Sequence, residues 1–309
     1  MSATRVMLRC KNKTGLNPAR LFCLGVLLLS SAIASAGPTL DRIAKTGAVT
    51  IGYRDSSPPF SYLDENNRPI GYSIDICLKV VDAMKRELKR SDLTVKYVPV
   101  SSSSRMKAVA SGEADIECGS TTSSAERRKE VAFTIPTFLA VTRFLTRADS
   151  GIKSMFDLNG KTVVTTKGTS SEKLFNDLNE GRGLGAKLVL AKDHNESFSF
   201  VEGGKADAFI MDDVLLYSLR AASKNPNNYS ITRDTLTVEP LAMMMSKDDP
   251  AFKKVVDTEV ARIITQGEIN AIYRKWFESP IPPKQINLQL QMGHLLRDSF
   301  KAPTDWVPN

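Results

Sequence analysis

The sequence predicts an α/β chain of two lobes, each a mostly parallel sheet flanked by helices, joined by two hinge strands. Three observations carry this. A strand–helix–strand–helix–strand order occurs twice, which marks a parallel, doubly wound sheet in each half. Two apolar, β-prone runs, 137–146 and 241–245, link the halves without a Pro- or Gly-rich linker. The 309 residues, less an exported leader, are long for one core and suit two.

The leader comes first. Arg5, Arg9, Lys11, Lys13 and Arg20 form a basic stretch without an acid, an apolar run follows over 21–33, and Ala34-Ser35-Ala36 has the A-x-A form of a cleavage site. That run is short beside the ~18–20 apolar residues of a membrane span, although an uncleaved anchor is the competing reading. A lipoprotein is disfavoured because Cys23 opens the apolar run instead of closing it. Cleavage after Ala36 leaves 273 residues. The leader holds five of the 42 Lys+Arg and none of the 34 Asp+Glu, so the net charge falls from +8 to +3. Nothing in that balance points to nucleic acid or to a membrane surface, and no membrane insertion is expected once the leader is gone.

In the first half, Ala48-Val49-Thr50-Ile51-Gly52-Tyr53 reads as a buried strand. A helix follows over 73–88, with Ile74, Leu78, Val81 and Leu88 on one stripe. A strand over 93–98, a helix over 105–111 closed by Gly112, and a strand over 116–118 complete the unit. The second half repeats it: strand 162–165, helix 170–178, strand 187–190, a helix starting at 197, and strand 208–211. Gly112-Glu113-Ala114-Asp115 and Gly204-Lys205-Ala206-Asp207 join helix to strand at equivalent places. Ser123 with Glu126, and Thr169 with Glu172, have the spacing of a capping box, which predicts a helix N-terminus in each lobe. Helical segments over 251–265 and 267–277 return to the first lobe, and the tail after Pro282-Pro283 wraps the surface. The expected domains are 37–141 with 240–309, and 142–239.

Cys77 and Cys118 remain after the leader, in an oxidising compartment, and either pair or stay as two buried thiols. No Cys/His spacing marks a metal site, and His194 and His294 are the only histidines, so neither a metal nor a cofactor is expected.

Ligands of open α/β sheets bind beyond the carboxyl ends of the strands. The residues there are Arg54, Ser102, Arg105, Ser120, Thr122 and Arg127 in the first half, and Ser170, His194 and Asp212 in the second. Taken singly, each has a plainer reading. Asp212-Asp213 suits a helix cap, His194 a surface loop, Phe60 the core, and an arginine after a strand a solvated face. Together they gather three guanidinium groups and a histidine against one acidic seat. An acidic amino acid would use that excess, with its ammonium at Asp212 and its second carboxylate at Arg54, Arg105 and His194.

Phe60-Ser61-Tyr62, Gly71-Tyr72-Ser73-Ile74-Asp75, Ser111-Gly112-Glu113-Ala114-Asp115, Glu126-Arg127 and Lys275-Trp276 resemble marks of the extracellular solute-binding proteins of polar amino-acid ABC transporters. The likeness runs over about 40–283. Glu117-Cys118-Gly119-Ser120-Thr121-Thr122, Ala191-Lys192-Asp193-His194 and Met211-Asp212-Asp213 are similar to the glutamate/aspartate-binding branch. The resemblance implies a two-lobed periplasmic-binding-protein fold, monomeric and not an enzyme, that delivers L-glutamate or L-aspartate to an inner-membrane ABC permease. It implies that Arg127, Thr122 and Ser170 hold the α-carboxylate, Ser120 and Asp212 the ammonium group, and Arg54, Ser102, Arg105 and His194 the distal carboxylate. Lys167 and Ser170 depart from the pattern, which expects a small hydroxyl residue and a threonine. A binding protein for glutamine or another polar amino acid, or a cyclohexadienyl dehydratase on the same fold, are the alternatives.

Overall fold

A computed structural model describes residues 37–306. The leader expected over 1–36 lies outside the described residues. No described helix is long and apolar enough to cross a membrane.

The first sheet runs in the order Thr94–Pro99, Ala48–Tyr53, Ile116–Cys118, Met244–Ser246, Val131–Phe133. Ala48–Tyr53 is parallel to both of its neighbours, with helices Tyr72–Glu87 and Arg105–Ala110 as the crossovers that parallel pairing requires. The second sheet runs Lys187–Ala191, Thr162–Thr166, Ala208–Asp212, Phe138–Arg147, Tyr229–Ile231. Its first three strands are parallel, with crossover helices Ser170–Gly181 and His194–Glu202. The chain thus has the two-lobed α/β fold that its strand–helix alternation predicts.

The paired G-x-A-D echoes do the same work in both lobes. Gly112 and Gly204 take left-handed φ values of 75° and 70°, which end a helix tightly. Asp115 then closes a ring with the first strand: its backbone N–H donates to Thr50 O at 2.9 Å, and its Oδ2 accepts from Thr50 N at 2.7 Å. Asp207 repeats this on Thr162 at 2.7 and 2.8 Å. Each aspartate fixes the register of the strand whose far end leads into the site.

Two chain crossings join the lobes as an antiparallel ribbon, Val238–Leu241 paired with residues 138–141 of the long strand Phe138–Arg147. Phe138 anchors the ribbon in the first lobe. Its ring stacks on Phe277 at 5.0 Å and meets Phe60 edge-on at 5.0 Å. Phe60 is therefore a core residue. Tyr72 Oη donates to Thr137 O at 2.8 Å beside them. The apolar run expected as one hinge strand over 241–245 is split: Val238–Leu241 belongs to the ribbon and Met244–Ser246 to the first sheet. The marks Asp75, Lys275 and Trp276 meet, as Lys275 Nζ and Trp276 Nε1 both donate to Asp75 Oδ2 at 2.6 and 2.7 Å.

Several other details differ from the sequence reading or were left open by it. Leu78 is exposed, because the buried face of its helix runs through Ile74, Cys77, Val81 and Met84. Ser56–Ser57, Ser61–Leu63 and Pro69–Ile70 form a small separate sheet. The tail carries a short helix, His294–Ser299, whose Leu296 is buried in the core. Cys77 and Cys118 are joined in a disulfide with Cα atoms 6.4 Å apart. It ties the first crossover helix to the strand that feeds the site. Closing 41 residues of chain stabilises the fold by about 4 kcal/mol on a chain-entropy estimate.

Candidate ligand-binding site

Loops from the carboxyl ends of strands in both sheets meet around an enclosed space of about 10 Å³. It has room for about one water. Seven of the nine residues expected at the site line it: Ser102, Arg105, Ser120 and Thr122 from the first lobe, and Ser170, His194 and Asp212 from the second. Thr169 and Met211, which the sequence reading did not include, complete the wall. Arg54 lies directly behind it, with Nη2 donating to Ser102 Oγ at 2.8 Å. Arg127 lines a second, wider cavity of about 940 Å³ at the cleft mouth.

The lobes touch at this site. Thr122 Oγ1 and Ser170 Oγ are 3.1 Å apart. The guanidinium of Arg127 spans the cleft, donating to Thr122 O at 3.0 Å on one side and to Gly168 O at 3.2 Å on the other. The expected capping box at Ser123 and Glu126 is absent. The helix there is only a three-residue 3₁₀ turn, Arg127–Lys129, without a side-chain cap. Ser123 Oγ instead accepts from Arg128 Nε at 2.9 Å, and Ser124 Oγ from Arg127 N at 3.3 Å. A turn this short carries no helix dipole, so any anion seat on this side is built from Arg127 and hydroxyl groups. Across the cleft, Ser170–Gly181 starts as expected, but Glu172 accepts from Gly168 N at 2.8 Å and not from its N-cap Thr169. Lys167 is exposed.

Beneath the wall lies a residue that the sequence reading did not assign. Glu117 is fully buried, and its Oε2 accepts from Thr121 Oγ1 at 2.7 Å. That hydroxyl in turn accepts from Arg105 Nη1 at 2.6 Å. Gly119 leaves room for this, since a Cβ there would stand 2.2 Å from Glu117 Oε1 and 2.9 Å from Arg54 Cγ. A glutamate inside a short apolar strand is the signal that could have pointed to it, because a buried carboxylate requires a partner.

A family model for the bacterial extracellular solute-binding proteins, family 3, matches residues 49–279. The chain belongs to that family. It is 42% identical over 285 residues to the glutamate/aspartate import solute-binding protein of Escherichia coli K12, covering 92% of this chain and 94% of that one. It is 46% identical over 268 residues to the L-glutamate/L-aspartate-binding protein of Pseudomonas aeruginosa PAO1, covering 86% and 89%. Among solved structures it is similar in fold to the L-cysteine solute receptor of Neisseria gonorrhoeae, with a TM-score of 0.69 at 24% identity over 81% of this chain and 97% of that one.

The electrostatics of this solute-binding protein revise the charge count. Burial lowers the pKa of Arg54, and Glu117 opposes that. Burial, with Arg127 and Arg54 close by, pushes Arg105 further down, again against Glu117. His194 is buried and held well below its ordinary value by burial first and then by Arg54 and Arg105, so it is neutral at pH 7. Burial, reinforced by Glu239 and Asp213, raises Asp212 well above the usual carboxylate range. Three arginines face Glu117 behind them and Asp212, whose raised pKa favours its protonated form, so the free site carries a positive excess that a ligand with a second carboxylate offsets.

Of the plainer readings, the surface loop at His194 does not hold, and Asp212 takes the N-cap position of the helix Asp213–Ala222 without capping it through its side chain. His194 is 1% exposed.

Proposed function

We propose that this family 3 solute-binding protein captures L-glutamate or L-aspartate outside the inner membrane and presents it to an ABC permease. One observation carries the reading. Arg54 Nε and Nη1, Arg105 Nε, Ser120 Oγ and Asp212 Oδ1 are buried, and the fold gives them no hydrogen-bond partner. Buried polar groups left unpaired are costly, and those with a function are satisfied by a ligand. Around the ligand space the unmet groups are cationic donors on one side and a carboxylate oxygen on the other, with Glu117 Oε1 also unmet behind the arginines, and the two sides complement an amino acid with a second carboxylate. The names of the E. coli and P. aeruginosa relatives support the same ligand class. The family description and the A-x-A leader support a periplasmic location.

In this reading Arg127, Thr122 and Ser170 hold the α-carboxylate, and Ser120 and Asp212 the ammonium group. Arg54, Ser102, Arg105 and His194 hold the distal carboxylate. Residues 142–239 move as one body about the ribbon. The space between the lobes as they stand holds about one water, so the lobes part to admit an amino acid and then close on it. Only a ligand that contacts both lobes biases that equilibrium. The protein acts as a monomer and catalyses nothing.

Paired truncations test the assignment. Arg127→Ala removes binding of every amino acid, whereas Arg105→Ala selectively removes the acidic ones. Full glutamate affinity in Arg105→Ala would overturn the distal pocket.

A further inference from the structure

The ring of His194 is held by a chain of three hydrogen bonds. Nδ1 is 2.8 Å from Thr166 Oγ1, that oxygen is 2.8 Å from Ser197 Oγ, and Ser197 Oγ is 2.9 Å from Asp193 O. All four atoms belong to buried or half-buried second-lobe groups. The terminal acceptor gives the chain a direction. Asp193 O is a carbonyl and only accepts, so the Ser197 hydroxyl donates to it. Ser197 Oγ then has no second proton, and Thr166 Oγ1 donates to Ser197. The Thr166 hydroxyl is thereby spent, so it accepts from Nδ1–H. Reversing the chain would leave Ser197 Oγ and Asp193 O 2.9 Å apart with no proton between them. The neutral imidazole is therefore the Nδ1–H tautomer, and the nitrogen it leaves for the ligand space, Nε2, carries a lone pair.

A lone pair cannot donate to a carboxylate. Resting on the reading of the distal pocket above, we propose that Thr166 and Ser197 are positioning residues. They force His194 to take a proton on its Nε2 when an acidic ligand binds, so that ligand and proton enter together. The balance is simple: Nε2 gains H⁺ from solvent, the ring becomes an imidazolium, and Nε2–H donates to the distal carboxylate. No bond other than N–H forms.

The surroundings explain why the proton waits for the ligand. Arg54 and Arg105 face the ring from the first lobe and oppose a third positive charge, as does its place at the first turn of its own helix. The acids on the packed elements are engaged elsewhere. Asp193 accepts from Glu196 N, Glu196 from Lys192 N, and Asp207 from Thr162 N. On the neighbouring strand Arg143 reaches Thr232 O and Asp213, and Arg147 reaches Asp149. Asp212 faces the ligand space from the ammonium side. Glu117 lies behind Arg54 and Arg105, bonded to Thr121, and its charge is set against theirs, so the carboxylate brought by the ligand supplies the negative charge at the ring itself.

Nitrogen-15 NMR of histidine-labelled mature chain tests this directly, since only His194 and His294 contribute signals. In free protein at pH 7, Nδ1 of His194 should be protonated and Nε2 bare. With saturating L-glutamate both nitrogens should be protonated. A bare Nδ1 in the free protein, or a bare Nε2 in the bound one, overturns the proposal. Calorimetry of glutamate binding in buffers of different ionisation enthalpy supplies a second reading. The wild type and Thr166→Ser should take up about one more proton than Thr166→Val and Ser197→Ala, in which the chain no longer imposes the Nδ1–H tautomer. Asp212 contributes equally to all four, so equal counts among variants that bind contradict the positioning role. Absence of glutamate binding by the wild type would instead overturn the ligand reading itself, and this proposal with it.

Discussion

Gly168 of the second lobe lies against Ser103 of the first so closely that a Cβ on Gly168 would stand 2.7 Å from Ser103 Cα. The same Cβ would be 2.9 Å from Ser102 O, and the φ of Gly168 is +80°. Its carbonyl accepts from Arg127, and its N–H donates to Glu172. A single residue thus combines a close backbone approach between the lobes with a conformation that favours glycine.

Gly168→Ala should therefore oppose closure without touching the ligand. Backbone atoms give way poorly, so the lobes must stop short of their present contact. Glutamate affinity should fall at least about tenfold, or about 1.4 kcal/mol. Titration calorimetry reads the loss, and unchanged affinity would show that closure does not need this contact.

Glu117 is the counter-charge beneath Arg54 and Arg105, linked to Arg105 through Thr121. Removing one member of a buried charge set leaves the others uncompensated, at a cost of about 3–5 kcal/mol. Glu117→Ala should lower the melting temperature of the free protein by several degrees. A dicarboxylate that reaches the same arginines should restore part of the loss. Thermal melts with and without glutamate check both halves, and a melting temperature equal to wild type would remove Glu117 from the site.

Asp212 sets a pH dependence whose sign follows from its raised pKa. In the unfolded chain it titrates near 4, so above that pH the native state holds the extra proton. Stability from this group is then fully present below about pH 4 and is lost as pH rises through its folded value. Asp212→Asn should melt about 2–4 °C above wild type at pH 7, the shift that about 1 kcal/mol produces in a large domain. The gap should close near pH 4. The same variant should lose amino-acid binding, because the ammonium group no longer has an anionic seat. A variant less stable than wild type at pH 7 contradicts the account.

The fold was legible where the chain repeats itself. The strand–helix alternation, the G-x-A-D turns at Asp115 and Asp207 and the apolar crossing runs each carry a period or a turn signal that tertiary structure then keeps. Two- and three-residue strands such as Ser56–Ser57 and Val131–Phe133 carry no period to read. Seven of the nine candidate residues line the inner space, and could be placed there because a parallel sheet fixes which strand ends face it. The capping box at Ser123 fails for a physical reason: the local spacing suits a helix, but the Ser123 N–H is claimed by Pro240 O from the returning ribbon and its hydroxyl by Arg128 five residues on. The role of Glu117 depends on its link to Arg105 through Thr121, and the Arg105 end of that link is not encoded by any local pattern. The pairing of Cys77 with Cys118 was open because spacing alone does not bring two thiols together.

The central claim is that the site is built for an amino acid with a second negative charge. Isothermal titration of the mature chain with L-glutamate, L-aspartate, L-glutamine and L-asparagine tests it most directly. The account predicts a dissociation constant well below about 1 mM for at least one of the two acids, with the matching amide weaker by tenfold or more. No binding of either acid below about 1 mM, or an amide that binds as tightly as its acid, would contradict it.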